Sequence, residues 1–230
     1  LEQNKGWFAL PGEQPPADTC TEICENGVYY HVDFENGQKT GFFLDQKYNR
    51  RAIRQISEGK TVLDCFTHTG SFGLNAAAGG AKRVVSVDIS ADAIAMARQN
   101  AVRNGLDARM DFVCTDVFDL LTDMANNGKC DYDFIILDPP AYGRGANGEK
   151  WVLEENICEM LECCAALLSD NGFLVLNLYS MGLSALLART ALRQAFGTTG
   201  NEEFGELYFR DRTGKELPLG TFFRFNRAKK

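Results

Sequence analysis

Short apolar runs that end on an acid recur along this chain at the spacing of strand and helix, and that rhythm constrains the fold more than any other feature. The run Thr61 to Cys65 carries Asp64 near its end, turns through Phe66-Thr67-His68-Thr69-Gly70 and opens a helical stretch. Val84 to Asp88 repeats the arrangement, another run precedes Asp116, and Ile135-Ile136-Leu137 leads into Asp138-Pro139-Pro140. Repeated βα units of this length imply a parallel sheet covered by helices on both faces.

Periodicity along the chain predicts strands over 61–65, 83–88, 110–114, 132–138 and 172–179. Helices are expected over 71–79, 91–104, 116–126, 151–168 and 182–196, with Ser90 as an N-cap and Gly105 as a stop. A further helix begins near residue 48, with Ala52, Ile53 and Ile56 on one face, Arg50, Arg51 and Arg54 on the other, and Gly59 ending it. Ahead of it, an irregular arm to about residue 27 leads to a hairpin, 28–34 with 40–44, around Asn36-Gly37. At the other end, 204–210 and 219–225 flank Asp211-Arg212-Thr213-Gly214 and should pair antiparallel. The expected architecture is α/β: a Rossmann-like, doubly wound, mostly parallel sheet with a C-terminal antiparallel hairpin. An arm and small β element at 1–47 precede a main domain at 48–230.

At 230 residues and 45% hydrophobic content the chain can bury one substantial core. No stretch approaches the roughly 20 apolar residues of a membrane span and no signal peptide opens the chain, so a soluble cytoplasmic protein is expected. Because it begins at Leu1, a trimmed chain with sequence upstream is also expected. Cys65, Cys114 and Cys163 sit in apolar patterns that suit buried free thiols. Cys20 and Cys24 lack the C-x2-C spacing of a zinc site, so no metal is assigned. A net charge of −7 confines any nucleic-acid contact to a local patch. Two clusters offer one: Lys47, Arg50, Arg51 and Arg54, and Arg224, Arg227, Lys229 and Lys230.

Ligands of an open α/β sheet lie beyond the carboxyl ends of its strands, cradled by the first βα loop. A dinucleotide needs several glycines there so that N–H groups can approach a pyrophosphate, whereas Phe66-Thr67-His68-Thr69-Gly70 holds one. S-adenosylmethionine carries a sulfonium, an ammonium and a carboxylate but no phosphate. Asp64 can favour its cationic end, loop N–H groups its carboxylate, and Asp88 its ribose hydroxyls. Asp116 can accept the adenine amino group while Val117 packs on the ring, although Asp116 serves equally well as a helix cap. His68 reads as a loop donor or packing residue. Beyond the fourth strand, Pro139 and Pro140 fix φ and remove two donors, leaving carbonyls that can meet a substrate amine beside Asp138.

With these residues in view, the chain resembles class I S-adenosylmethionine-dependent methyltransferases, within them bacterial proteins related to large-subunit ribosomal RNA cytosine-C5 methyltransferases. The likeness rests on Thr40 to Arg50, Val62 to Gly73, Val84 to Ser90 and Asp138 to Pro140. It implies S-adenosyl-L-methionine as cofactor and RNA, ribosomal or otherwise structured, as partner. It places Asp64, Phe66, Thr67, His68, Thr69, Gly70, Asp88, Ile89, Asp116 and Val117 in the cofactor pocket, with Gln46 to Arg50 near its mouth. Such enzymes attack carbon-6 of a pyrimidine with a cysteine located after the fifth strand or after the two prolines. Here Tyr179 and Ala141 occupy those places, which argues against C5 methylation. A base nitrogen needs no covalent help: Asp138 and a proline carbonyl can aim its lone pair while Tyr142 or Tyr179 stacks on the base. Asp138, Pro139, Pro140 and Tyr142 are therefore the candidate catalytic group, with the amino-terminal hairpin presenting RNA. Methylation of a small molecule or protein, and a non-catalytic RNA-assembly role, are the alternatives.

Overall fold

A computed structural model describes residues 10–14, 16–37, 41–128, 132–145, 148, 150–179, 184–197 and 199–227. After the hairpin β1 (Cys20–Glu25) and β2 (Val28–Asp33) and helix α1 (Lys47–Ile56), the alternation is β3 (Thr61–Cys65), α2 (Ser71–Ala78), β4 (Arg83–Asp88), α3 (Ala91–Arg103), β5 (Met110–Cys114) and α4 (Val117–Asn126). Then come β6 (Tyr132–Leu137), the short β7 (Tyr142–Arg144) and β8 (Lys150–Val152), α5 (Leu153–Leu167), β9 (Leu168–Leu178), α6 (Ala185–Phe196), β10 (Thr199–Arg210) and β11 (Glu216–Arg227).

The main sheet runs β10-β11-β9-β6-β3-β4-β5. β9, β6, β3, β4 and β5 are parallel, and β11 and β10 close the edge antiparallel. Strand order reverses beside β3, where an open sheet of this kind holds its ligand.

Both faces are buried, so the strands are continuous apolar runs and only side-chain parity distinguishes the faces. Leu63, Cys65, Ile135, Leu137, Leu174 and Leu176 face α4, α5 and α6. Val62, Val84, Phe134, Ile136 and Val175 face the layer that includes α1, α2 and the β1–β2 hairpin.

The amino-terminal hairpin differs from the expected one. β1 pairs with β2 around Asn26-Gly27, the other Asn-Gly in this region, whose φ values of 53° and 73° suit a two-residue turn. Residues 20–25 are therefore strand, not irregular arm. Asn36-Gly37 follows instead a turn organised by Asp33, whose carboxyl accepts from the backbone of Glu35 and Asn36. Thr40 lies outside the described residues, 41–43 are not strand, and Leu44, the last residue of the expected strand, opens the 3-10 turn Leu44–Gln46. The exposed edge of β2 is closed by side chains of α3: Asn104 bonds the Tyr29 backbone in both directions, and His31 N–H donates to Asn100. Val28, Tyr30 and Val32 thereby join the core of Ile53 and Val62.

Arg50 is the second correction. It is 0% exposed, donating to Glu25 of β1 at 2.5 and 3.1 Å and to the Phe43 carbonyl, with its guanidinium over the Phe42 ring. Arg54 donates to the Asn26 carbonyl. These two arginines tie the hairpin to α1, leaving Lys47 and Arg51 as the exposed cations of that cluster. In the other cluster Arg224 pairs with Glu203, and Arg227 donates to the carbonyls of Ala165 and Leu168 at the end of α5; Lys229 and Lys230 lie outside the described residues.

Candidate active site

The acids at the strand ends converge on one rim. Asp64 pairs in register with Ser86 of β4 and Ile136 of β6, and Asp138 follows the Leu137 that pairs with Cys65. Asp64 and Asp138 share parity with Val62 and Ile136, so both turn toward the α1–α2 face.

Asp64 is fully buried. Its Oδ2 accepts from Thr67 Oγ1, Gly73 N–H and Ser86 Oγ, while Oδ1 is buried without a partner. Burial pushes its pKa up to about 7 against these hydrogen bonds, which favour the ionised form. Gly73 is needed for this approach: a Cβ there would lie 2.5 Å from Ser86 Oγ and 2.8 Å from Asp64 Oδ2.

The loop after β3 is held in an unusual path, with Phe66, His68 and Gly70 at φ 62°, 50° and 85°. Two of these three are not glycine, and left-handed backbone at such residues concentrates at ligand sites. Asp88 supports the loop, Oδ2 accepting from His68 N–H and Oδ1 from Ser90 N–H. The Thr69 carbonyl accepts from Asn100. His68 packs edge-on against Phe43, and burial, opposed by Asp88, lowers its pKa and keeps the ring neutral.

A cavity of about 320 Å³ opens beside this loop, lined by Phe66, Ile89, Val117, Phe118, Pro140 and Trp151. Asp116 borders it and also caps α4, accepting from the N–H groups of Phe118 and Asp119. Both expectations for Asp116 are geometrically compatible. Trp151, on β8, was not anticipated. It donates to the Pro140 carbonyl at 2.7 Å and packs against Phe66 and Phe118. That bond takes one of the two lone pairs of the Pro140 carbonyl.

Asp138 has a buried Oδ1 without a partner. Burial first, then the charges of Asp45 and Asp64, push its pKa up to about 7, with Arg50 and the Asn177 amide acting in the opposite direction. Tyr142 lies on β7 and is 70% exposed. Gln46 is buried and is not among the residues lining that cavity. It donates to Tyr179 and accepts from Asn49, and the Tyr179 hydroxyl donates to Asp45. Asn49 lies in the Gln46 to Arg50 stretch expected near the mouth, whereas Asp45 and Asn177 were not singled out. Only Asn177 carries a sequence signal, as the polar break in Leu174 to Leu178.

The residues present suit S-adenosylmethionine. Asp64 offers an unfilled carboxylate oxygen at the loop, Asp88 retains free lone pairs on both oxygens, and an aromatic-walled cavity ends at Asp116. The loop after β3, Phe66 to Gly70, holds one glycine where a diphosphate cradle needs several.

Comparison with known proteins agrees with this geometry. A family model described as S-adenosylmethionine-dependent methyltransferase matches residues 7–199. "Ribosomal RNA large subunit methyltransferase I" of Aeromonas salmonicida is 49% identical over 134 residues, covering 58% of this chain and 33% of that protein. The protein of the same name from Aliivibrio fischeri is 43% identical over 148 residues, 64% of this chain and 36% of that one. This chain thus spans about a third of the length of these curated relatives. Among solved structures, the SAM-dependent methyltransferase of Agrobacterium tumefaciens is 29% identical with a TM-score of 0.87, covering 98% of this chain and 75% of that one. A structure complexed with SAH, SMU.776, is 27% identical with a TM-score of 0.75, covering 94% of this chain and 58% of that one.

Proposed function

The chain belongs to the S-adenosylmethionine-dependent methyltransferase family, and on that premise we propose that it methylates a nitrogen of a base in large-subunit ribosomal RNA. The observation that carries this is the rim where Asp64 at the end of β3 and Asp138 just past β6 each hold a buried oxygen without a hydrogen-bond partner, while Phe66 from the loop after β3 and Pro140 beyond Asp138 line the aromatic cavity nearby. Such carboxylates call for a cationic donor on one side and a hydrogen-bond-donating target on the other.

Bound S-adenosylmethionine supplies the methyl group. Asp64 and the loop from Thr67 to Gly70 would hold its amino-acid end, Asp88 its ribose, and Phe66, Ile89 and Val117 would enclose the adenine, whose amino group would meet Asp116. His68, kept neutral, adds no cation beside the sulfonium. Asp138 and the Pro139 carbonyl accept hydrogen bonds from the target amine and orient its lone pair, and the Asp138 carboxylate takes the proton it sheds. Tyr142, exposed on the β7–β8 arm, stacks on the base. Gln46 supports this end of the site, not the adenine end.

The ribosomal substrate is supported by the names of the relatives, and the nitrogen target by Tyr179 and Ala141 at the places where a thiol would serve C5 chemistry. Residues 1–47 act as an arm that presents RNA to the domain at 48–230, and a ribosomal substrate implies work in the cytoplasm. Transfer of labelled methyl groups to ribosomal RNA from a strain lacking the gene, with nucleoside mass spectrometry, tests this directly. An N-methylated nucleoside is expected, gained only by the deletion-strain RNA. Label in protein or metabolites alone would overturn the RNA assignment, and a C5-methylated pyrimidine the nitrogen assignment.

A further inference from the structure

Asn177 is fully buried in an apolar strand, an expensive place for an amide unless its hydrogen bonds are used. It stands one residue beyond Leu176, which pairs with Leu137, so it lies beside Asp138 on the adjoining strand end. Its oxygen accepts from Asn49 Nδ2 at 2.7 Å, and Asn49 also donates to Gln46 Oε1 at 2.8 Å. This assigns the direction of every group behind it. Gln46 accepts with its oxygen and so donates with its nitrogen to Tyr179, whose hydroxyl then donates to Asp45. With its oxygen engaged by α1, Asn177 has only Nδ2 left to offer.

That nitrogen is buried without a hydrogen-bond partner, and so is Asp138 Oδ1. A donor and an acceptor, neither in a well-formed hydrogen bond, sit on neighbouring strand ends, close enough that the Asn177 amide already favours the ionised Asp138 carboxyl. Hydrogen bonds in catalytic groups commonly tighten only when substrate is bound.

We propose that Asn177, locked from behind by Asn49, is a positioning residue that holds Asp138 ionised and aims its second oxygen at the target amine. This rests on the assignment of Asp138 made above. The other charged and titratable groups acting on that carboxyl are Asp45 from the turn before α1, Asp64 from β3 and Arg50 from α1, with Tyr179 at the end of β9. Among them the Asn177 amide and Arg50 favour ionisation. A purely structural asparagine would affect stability and leave the titration of Asp138 unchanged.

The test follows the carboxyl itself. ¹³C NMR on aspartate-labelled protein, assigned with Asp138→Asn, gives the Asp138 midpoint in the wild type, in Asn177→Leu and in Asn49→Leu, which leaves Asn177 in place but frees its amide to turn. Both variants should raise the midpoint by about one pH unit and move the acidic limb of kcat upward equally, with S-adenosylmethionine affinity unchanged. If Asn177→Leu does not fold, Asn49→Leu carries the same expectation. An unmoved Asp138 midpoint in a folded variant would overturn the proposal. A shifted midpoint in a chain that methylates no RNA would uphold the Asn177 contact and remove the RNA assignment instead.

Discussion

A carboxyl buried at a strand end is costly when ionised, and at this rim burial pushes up both Asp64, which also feels Asp88, and Asp138, which also feels Asp45 and Asp64. For Asp64 the ordinary value of 3.8 rises to about 7 on folding. A native state that holds this proton more tightly incurs no cost below about pH 4; stability then falls as pH rises toward 7, and the full cost remains above it. Asp64→Asn keeps an oxygen for Thr67, Gly73 and Ser86 and places an uncharged NH₂ at Oδ1. It should therefore raise the thermal midpoint of the ligand-free chain at pH 8 by at least about 2 °C, with no gain at pH 4, while abolishing S-adenosylmethionine binding in calorimetry. Equal midpoints at pH 8 would show that Asp64 is not destabilising. At Asp138 the expectations separate binding from chemistry: Asp138→Ala should retain cofactor affinity and lose methyl transfer, and retained turnover would remove its assigned role. Both acids were legible in the sequence because a carboxylate ending an apolar strand has few structural uses. Their unfilled oxygens were not, since satisfaction depends on neighbours such as Gly73 and Asn49 that lie on other elements.

At the scale of elements, legibility followed the length of the pattern. The βα units were readable because each carries several apolar residues in register with its own period, whereas β7 and β8 have three residues apiece, too few to show one. Their consequence, Trp151 bonded to the Pro140 carbonyl and closing the aromatic cavity, was invisible for the same reason. Arg50 failed differently. Binary patterning places an arginine on the solvent face of α1, but Asn49, Arg50 and Ile53 form its buried side, and the compensating charge is Glu25 on β1. Replacing Glu25 with Gln leaves a buried guanidinium without its counter-charge and should cost about 3–5 kcal/mol. Read by urea unfolding, a loss under about 1 kcal/mol would place this pair among ordinary surface contacts. The same variant should lower the protection of β1 and β2 amides in hydrogen exchange, because Arg50 and Arg54 tie their turn to α1.

Across the whole molecule, parity and charge act together. The alternation that sends Leu63 and Leu137 to one core sends Asp64 and Asp138 to the other face, so one register error would separate the two acids. Strand periodicity predicted that sheet, but not which cations remain free at its edge. With a net charge of −7, the molecule as a whole repels a polyanion, and the amino-terminal basic cluster gives up Arg50 and Arg54 to internal bonds. Among the described residues, Arg144 and Lys150 at the lip of the cavity and Lys47 and Arg51 at α1 are exposed cations that the proposed RNA substrate would meet near the site. These four cations among the described residues would neutralise about four phosphates, so the logarithm of RNA affinity should fall against that of salt concentration with a slope of about −4. Arg144→Gln and Lys150→Gln should each flatten it by about 1. Fluorescence anisotropy on a labelled ribosomal RNA fragment across a salt series measures both. A slope of about −7 or steeper, or one indifferent to these substitutions, would locate the RNA surface elsewhere on the chain and separate it from the Asp138 corner.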